Sequence, residues 1–371
     1  MAEFSVTPYE VEGSVDYDKL IARFGVERIS ETLRKRLERL AGSSNFMIDR
    51  GIFFADRDLG WLLDRYEAGE KFYVYTGIAP SGRMTLGHLV PFLMAGWLQK
   101  KFGAEVIIEI PDEEKALARS GIGFEDTHRL AYEDAMDIAA LGFDEKNTKI
   151  FVNTDYAKTL YTNAVRIAKH ITFSMVKDAF GFKNETNVGT IFYTSMQAVP
   201  AMLGSLEKGR NVPCLIPLGI DQDVHFRIAR DVLPKLGYYK PAIMHSKFLP
   251  GLDGRPKMSS SDPKNTIYLS DNEETVRKKV NMAITGQQST AELQKELGGD
   301  PEKCAVCKYY TFLFEPDDAK LEKILKMERD GSLLAGEHKK DLAKRINGFL
   351  SDHASKKKNL EGKMDKFMLV D

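Results

Sequence analysis

The sequence predicts an α/β protein built on a doubly wound parallel sheet, with an N-terminal helical extension and a C-terminal all-helical domain. Three observations carry that prediction. From Lys71 onward, short apolar runs alternate with longer helix-patterned segments, the pattern of a parallel sheet with crossover helices. The first run leads into Pro80-Ser81-Gly82-Arg83-Met84-Thr85-Leu86-Gly87-His88, a glycine turn that opens a helix. Two further polar segments, Asp221-Gln222-Asp223 and Lys257-Met258-Ser259-Ser260-Ser261, also follow apolar runs. In open α/β sheets, ligands bind beyond the carboxyl ends of the strands, where such segments fall.

The elements follow in order. Residues 1–70 form the helical extension: from about residue 14, Ile29, Leu33, Leu37 and Leu40 recur at helical spacing. Arg34, Lys35, Arg36 and Arg39 lie between them, as a solvated face or as contacts to an RNA backbone. Residues 71–268 form the sheet domain. A strand is expected at 72–76, a helix at 85–102 and a strand rich in β-branched residues at 104–110. A helix at 127–141 ends at Gly142, suited to a left-handed cap, and a strand follows at 149–153. A helical insertion at 156–208 is broken around Gly181 and Gly189. A strand at 214–220, a helix at 223–236 and a strand at 242–246 complete the alternation. Residues 269–371 are charged and helix-patterned. Their densest basic stretch holds Lys339, Lys340, Lys344, Arg345 and Lys356-Lys357-Lys358, as a solvated helix face or as contacts to RNA. No internal repeat or low-complexity segment interrupts the chain.

Composition narrows the function classes. The chain has 371 residues, 43% hydrophobic and 29% charged, which suits a globular protein with a sizeable core. No apolar run has the length of a membrane span, and residues 1–13 lack a signal pattern, so cytoplasmic residence is expected. A net charge of −1 excludes a globally basic nucleic-acid binder; an RNA partner would have to meet local patches. Three cysteines, Cys214, Cys304 and Cys307, do not make a disulfide scaffold. Cys304-Ala-Val-Cys307 has metal-ligand spacing, but no second Cys/His pair lies nearby in sequence. Ordinary half-buried thiols are therefore expected and no metal site is assigned, with a redox pair or a shared metal as the alternative. His128, His338 and His353 fall on charged helices, and the scattered methionines read as core filling.

The strand, glycine turn and helix start make a phosphate cradle. A helix N-terminus offers free N–H groups and a positive dipole end. Gly82 and Gly87 allow close approach, and Lys257 on a second loop can supply charge to a developing polyphosphate. Together and in this order, these segments resemble the paired nucleotide-binding signatures of class I aminoacyl-tRNA synthetases. Thr85-Leu86-Gly87-His88 resembles their HIGH motif, with Thr for the first His. Lys257-Met258-Ser259-Ser260-Ser261 resembles their KMSKS motif, with Ser260 for the second Lys. Gly219-Ile220-Asp221-Gln222-Asp223 resembles the AIDQ segment of the tryptophanyl branch, with Gly219 for Ala. The likeness extends to Asp16-Tyr17-Asp18-Lys19-Leu20-Ile21, Arg50-Gly51-Ile52-Phe53-Phe54, Lys169-His170-Ile171-Thr172-Phe173 and Phe180-Gly181-Phe182. It runs from about residue 14 to the end, in the archaeal–eukaryotic type. Ile78-Ala79-Pro80-Ser81-Gly82 is closer to the loop of the tyrosyl branch; a basic residue stands at the Ile78 position in eukaryotic tryptophanyl enzymes, and Arg83 is a candidate to compensate. Tyrosyl-tRNA synthetases share the fold. An adenylyltransferase of the same superfamily would need neither the basic C-terminal helices nor Asp221-Gln222. A non-catalytic RNA-binding paralogue would usually lose a signature, and here both are present.

The resemblance implies a Rossmann-type catalytic domain that activates tryptophan with ATP, releases pyrophosphate and charges tRNA(Trp). It also implies a homodimer with an anticodon-binding helical domain. By the same likeness, His88 and Lys257 donate to the ATP phosphates, assisted by Ser259 and Ser261. Gly77, Pro80, Ser81, Thr85, Gly87 and Met258 line the nucleotide, and Asp221 accepts from the ribose. Mg²⁺ enters with ATP rather than in a protein cage. Tyr75 and Glu109 accept the indole N–H, with Glu109 ionised and balanced by a nearby donor. Glu114, Gln197 and Gln222 hold the substrate ammonium, and Ile216 and Leu218 line the indole slot. Lys339, with Gln288, Ser289 and Asp16, is implied to meet tRNA.

Overall fold

The computed structural model describes residues 4–7, 11–13, 15–118 and 121–371. Its centre is a seven-stranded sheet. In chain order the strands are β1 (Glu27–Arg28), β2 (Phe53–Arg57), β3 (Tyr73–Gly77), β4 (Glu105–Ile110), β5 (Thr148–Val152), β6 (Cys214–Gly219) and β7 (Ala242–Ser246). Across the sheet they run β1-β2-β7-β6-β3-β4-β5. The five strands from β7 to β5 are parallel. They are apolar and almost wholly buried, because helices cover both faces.

The N-terminal extension contributes more than helices. β2 pairs antiparallel with β7, and β1 pairs antiparallel with β2. This corrects the purely parallel sheet and the purely helical extension expected from the sequence. Phe53, Phe54 and Ala55 are buried, so this short apolar run is a strand inside the sheet, with β1 as the edge, rather than a helix face. The helices Tyr17–Phe24, Glu31–Ala41 and Leu59–Glu67 surround it.

The turn after β3 enters a short 3₁₀ segment, Leu86–His88, and then the helix Leu89–Phe102. The expected 127–141 helix starts a turn early, at Phe124–Ala139. The insertion folds as Ala157–Ala168, Phe173–Phe180, Val188–Met196 and Pro200–Lys208. Gly181 ends the second of these with φ 70°, as expected. Gly189 does not break a helix but lies inside one. A Cβ there would come within 2.5 Å of Leu117 Cδ2, so glycine serves close packing.

The helices Glu273–Asn281, Ala291–Leu297, Asp318–Arg329 and Ala335–Asn359 form most of the C-terminal region. One apolar cluster runs from the sheet (Val74, Ile108) into these helices (Val276, Leu342, Ile346), so the two regions share a core. Arg50 ties the extension to them by donating to the carbonyls of Thr311 (2.8 Å) and Glu315 (2.7 Å). The chain then returns to the sheet, where Met368 bridges Ile150 and the Asp371 carboxylate accepts from Thr159 N (2.6 Å).

Candidate active site

Two groups of side chains meet at the carboxyl edge of the sheet. The first lies between β3 and β4, whose parallel register sets Tyr75 beside Ile107 and Gly77 beside Glu109. Tyr75 and Glu109 are buried, and the tyrosine hydroxyl donates to Glu109 Oε2. Gln197, at the end of the helix Val188–Met196, donates to Tyr75 Oη (2.6 Å) and Glu109 Oε2 (2.8 Å). Tyr193, one turn earlier, donates to Gln197 Oε1 and thereby fixes which end of the amide faces the pocket. Asn153, just past β5, donates to Glu109 Oε1 (3.1 Å) and Glu113 Oε1 (2.8 Å). Ile216 and Leu218 on β6 belong to the same apolar cluster as Tyr75, and the Phe226 ring meets the Tyr75 ring edge-on at 5.7 Å.

Burial pushes the Glu109 carboxyl up to about 8, and the neighbouring Glu113 charge adds to the rise. Burial likewise pushes Glu113 up to about 7. Glu109 is therefore mostly neutral at pH 7, not ionised as expected from the sequence. The donors are present, from Tyr75, Gln197 and Asn153, but all are neutral and cannot offset the loss of water. Gly77 is needed for this fit, since a Cβ there would sit 2.5 Å from the Glu109 carbonyl oxygen.

Each of the three residues expected around the substrate ammonium has a protein partner of its own. Gln197 faces the Tyr75–Glu109 pair. Glu114 is held by Lys115 (2.8 Å), and Gln222 donates to Asp221 Oδ2 (3.0 Å).

The second group is the phosphate cradle. The Thr85 N–H donates to His88 Nδ1 (3.2 Å), which leaves the ring proton of the neutral imidazole on Nε2. Burial, with the charges of Lys257 and Lys115, lowers His88 to about 4, so the ring is neutral at physiological pH. Gly87 faces the second loop, and a Cβ there would lie 3.3 Å from Met258 Cβ. Backbone bonds from Leu86 N to Ile267 O (3.0 Å) and from Leu269 N to Met84 O (2.9 Å) join the two loops. Ser81 Oγ lies 3.3 Å from Ser260 Oγ, and Ser259 Oγ lies 2.9 Å from Ser261 Oγ. Lys257 Nζ reaches Asp221 Oδ2 at 2.6 Å, above the Phe248 ring. Pro80 is buried beside the cradle. At Gly219 a methyl would stand 2.7 Å from Asp221 Oδ1, so glycine gives that carboxylate room. Arg83 is engaged elsewhere, over the Tyr268 ring at 3.9 Å, and Ile78 N donates to Glu109 O (3.1 Å).

Several contributors were not singled out in the sequence. Asn153, Glu113 and Tyr193 complete the pocket. Arg57 on β2 pairs twice with Asp223, at 2.8 Å each, and His245 Nε2 contacts the same carboxylate at 2.7 Å. These partners hold Asp223 down at about 2 despite burial and anchor the Asp221-Gln222-Asp223 segment. Arg57 could be found only once residues 53–57 were read as a strand.

The residues implied to meet tRNA lie outside this site and have internal partners. Asp16 caps the helix Tyr17–Phe24 through Asp18 N and Lys19 N, both at 3.1 Å. Lys339 donates to Asn281 O (2.9 Å), and Gln288 donates to Gly298 O (2.9 Å); Ser289 is exposed. A groove of about 1000 Å³ opens beside Lys339, lined by Asn281, Arg277, Lys340 and Lys344 among acidic residues. His338 and His353, on a charged helix as expected, are buried. Cys304 and Cys307, expected to be ordinary half-buried thiols, are fully buried and converge with Glu328 and His338.

Comparison with known proteins gives a consistent picture. Residues 67–351 match the family model of class I tRNA synthetases (W and Y). The tryptophan–tRNA ligase of Pyrococcus furiosus is 46% identical over 368 residues, covering 98% of this chain and 94% of its own. That of Saccharolobus solfataricus is 45% identical, covering 95% and 91%. A crystal structure of Plasmodium falciparum tryptophanyl-tRNA synthetase superimposes with a TM-score of 0.89 at 37% identity, covering 95% of this chain and 97% of that one. The enzyme from Aeropyrum pernix gives 0.87 at 32% identity, covering 96% and 97%.

Proposed function

The chain belongs to the tryptophan–tRNA ligases, a branch of the class I synthetases, and from that premise we propose how its own residues divide the work. The enzyme activates tryptophan with ATP and transfers it to tRNA. The observation that carries our reading is the buried neutral Tyr75–Glu109 pair, held by the Gln197 amide N–H, at the same sheet edge as the cradle that carries Lys257.

In this reading the indole enters beside Ile216 and Leu218, and its N–H donates to an oxygen of Tyr75 or Glu109. An indole N–H is donor only, so a pocket offering oxygens suits it. Gln222 accepts from the ammonium through Oε1, with Glu114 supplying charge once Lys115 is displaced; Gln197, whose carbonyl oxygen is taken by Tyr193, instead orients Tyr75 and Glu109. The tryptophan carboxylate attacks the α-phosphorus of MgATP in line, and pyrophosphate leaves. No protein nucleophile is needed, because positioning and charge stabilisation suffice. His88 Nε2–H and Lys257 Nζ donate to the phosphates, with Ser259 and Ser261 on the same loop. Asp221 is then free to accept from the ribose hydroxyls. The Lys257–Asp221 ion pair is thus exchanged for two substrate contacts, and each partner arrives already oriented. Mg²⁺ travels with ATP, because Asp221, the cradle's carboxylate, is taken by the ribose and by Gln222 once the nucleotide is bound.

Lys339, beside the groove of mixed charge, and Gln288 and Ser289 are proposed to face tRNA, and Asp16 to approach it at the extension. Lys339 would trade the Asn281 carbonyl for a phosphate. A homodimer acting in the cytoplasm completes the proposal. Amino-acid-dependent pyrophosphate exchange with tryptophan and with tyrosine tests the substrate assignment.

A further inference from the structure

The C-terminal helices bring together four buried side chains from three places in the chain. Cys304 and Cys307 stand at the start of the helix Ala305–Tyr309, Glu328 near the end of Asp318–Arg329, and His338 in the first turn of Ala335–Asn359. Each offers a ligand atom, and all four atoms lie within 4.8 Å of one another. Glu328 and Cys304 are fully inaccessible, and Cys307 and His338 are 1% exposed.

We propose that Cys304, Cys307, Glu328 and His338 form a closed tetrahedral site for a structural zinc ion, which clamps the C-terminal helices together.

Three features of the geometry support this. Both His338 ring nitrogens and Glu328 Oε1 are buried without a hydrogen-bond partner among the described residues. Nδ1 approaches Glu328 Oε2 to 3.2 Å, but not in hydrogen-bond geometry. Buried polar atoms left unpaired typically cost about 1–3 kcal/mol each, and a cation would satisfy them together. Secondly, the groups around the cluster orient its ligands. Gln287 Nε2 donates to Glu328 Oε2 (2.5 Å) and leaves Oε1 free to ligate. The Tyr310 ring stacks on the His338 ring at 5.2 Å and 10°. The Cys307 N–H donates to Cys304 Sγ (3.3 Å), a contact that favours thiolate at a helix start. Thirdly, the donor set fits the ion. Two thiolates, an imidazole and a carboxylate suit zinc, and full burial leaves no open position for chemistry. Metal–ligand bonds of about 2.0–2.3 Å give tetrahedron edges of roughly 3.3–3.8 Å, so small side-chain rotations close the set.

The consequence reaches the surface. Gln287 precedes Gln288 and Ser289, and its amide also donates to Leu333 O (3.0 Å). The clamp would fix the exposed loop they occupy.

Elemental analysis of the full-length untagged protein tests the proposal directly. About one zinc per chain is expected in the wild type, and little in Cys304→Ser/Cys307→Ser. Because that variant could misfold, the wild type exchanged with cobalt(II) provides a second readout. Thiolate-to-cobalt charge transfer and strong tetrahedral ligand-field bands are expected there. Less than roughly a tenth of an equivalent of zinc in the wild type, together with no thiolate–cobalt bands, would overturn the site. A full equivalent retained in the double serine variant would overturn it as well.

Discussion

Replacing Glu109 by Gln should change how stability depends on pH, and the size of the change follows from where the carboxyl sits. Glu109 is wholly inaccessible, and its proton is held up to about 8 against an ordinary 4.5. The folded state therefore binds more protons than the unfolded state between those values, and stability falls as pH rises through that window. The contribution is fully present below about pH 4.5 and is lost as pH rises through about 8. Integrating the linkage relation, the carboxyl costs the fold roughly 1 kcal/mol at pH 5 and roughly 3 kcal/mol at pH 7. Gln keeps the shape and cannot ionise, so it removes the difference of about 2 kcal/mol between the two conditions. Any pH-independent effect of the amide on packing drops out of the comparison. For a chain of this size, that corresponds to about 2–3 °C in Tm. Thermal unfolding of both proteins at pH 5 and pH 7 should show the variant gaining that much on the wild type at the higher pH. An offset that is the same within about 1 °C at both pH values would refute a neutral Glu109.

Two substitutions separate adenylate formation from tRNA recognition. Lys257→Ala should lower kcat for pyrophosphate exchange by about 10²-fold or more while tryptophan affinity is kept, because the charge acts mainly on the transition state; an unchanged kcat would remove Lys257 from the chemistry. Lys339→Ala should leave exchange intact and raise KM for tRNA, with the slope of log K against log salt smaller by about one unit; equal affinity and equal slope would return Lys339 to capping the Asn281 carbonyl.

The parallel core was legible because its strands are apolar runs punctuated by glycine, proline and asparagine, and each ligand segment follows such a run. β2 was not, because Phe53-Phe54-Ala55 is too short to separate from helix spacing, and its partner β7 lies far along the chain. With it went Arg57, whose role depends on that pairing. In the site, Tyr75 and Glu109 meet as the likeness implied, and Gln197, expected at the ammonium, joins them instead. Motif matching could not give the protonation state of Glu109, which depends on Glu113 sharing the Asn153 amide with it and on water being excluded. Asn153 and Tyr193 carry no local signal; an asparagine after a strand and a tyrosine on a helix are ordinary. The cysteine pair was read as ordinary because its complement, Glu328 and His338, is a single acid and a single histidine on separate helices. Only the packing of those helices makes four ligands of them.

The central claim is that Tyr75 and Glu109 select an indole for activation at this cradle. Amino-acid-dependent pyrophosphate exchange, run with tryptophan and tyrosine on the wild type and on Glu109→Ala, tests it most directly. Losing a buried acceptor should cost about 1–3 kcal/mol, so KM for tryptophan should rise roughly tenfold or more while KM for ATP stays nearly constant. The wild type should exchange with tryptophan in clear preference to tyrosine. Preference for tyrosine, or an unchanged KM for tryptophan in Glu109→Ala, would contradict the account.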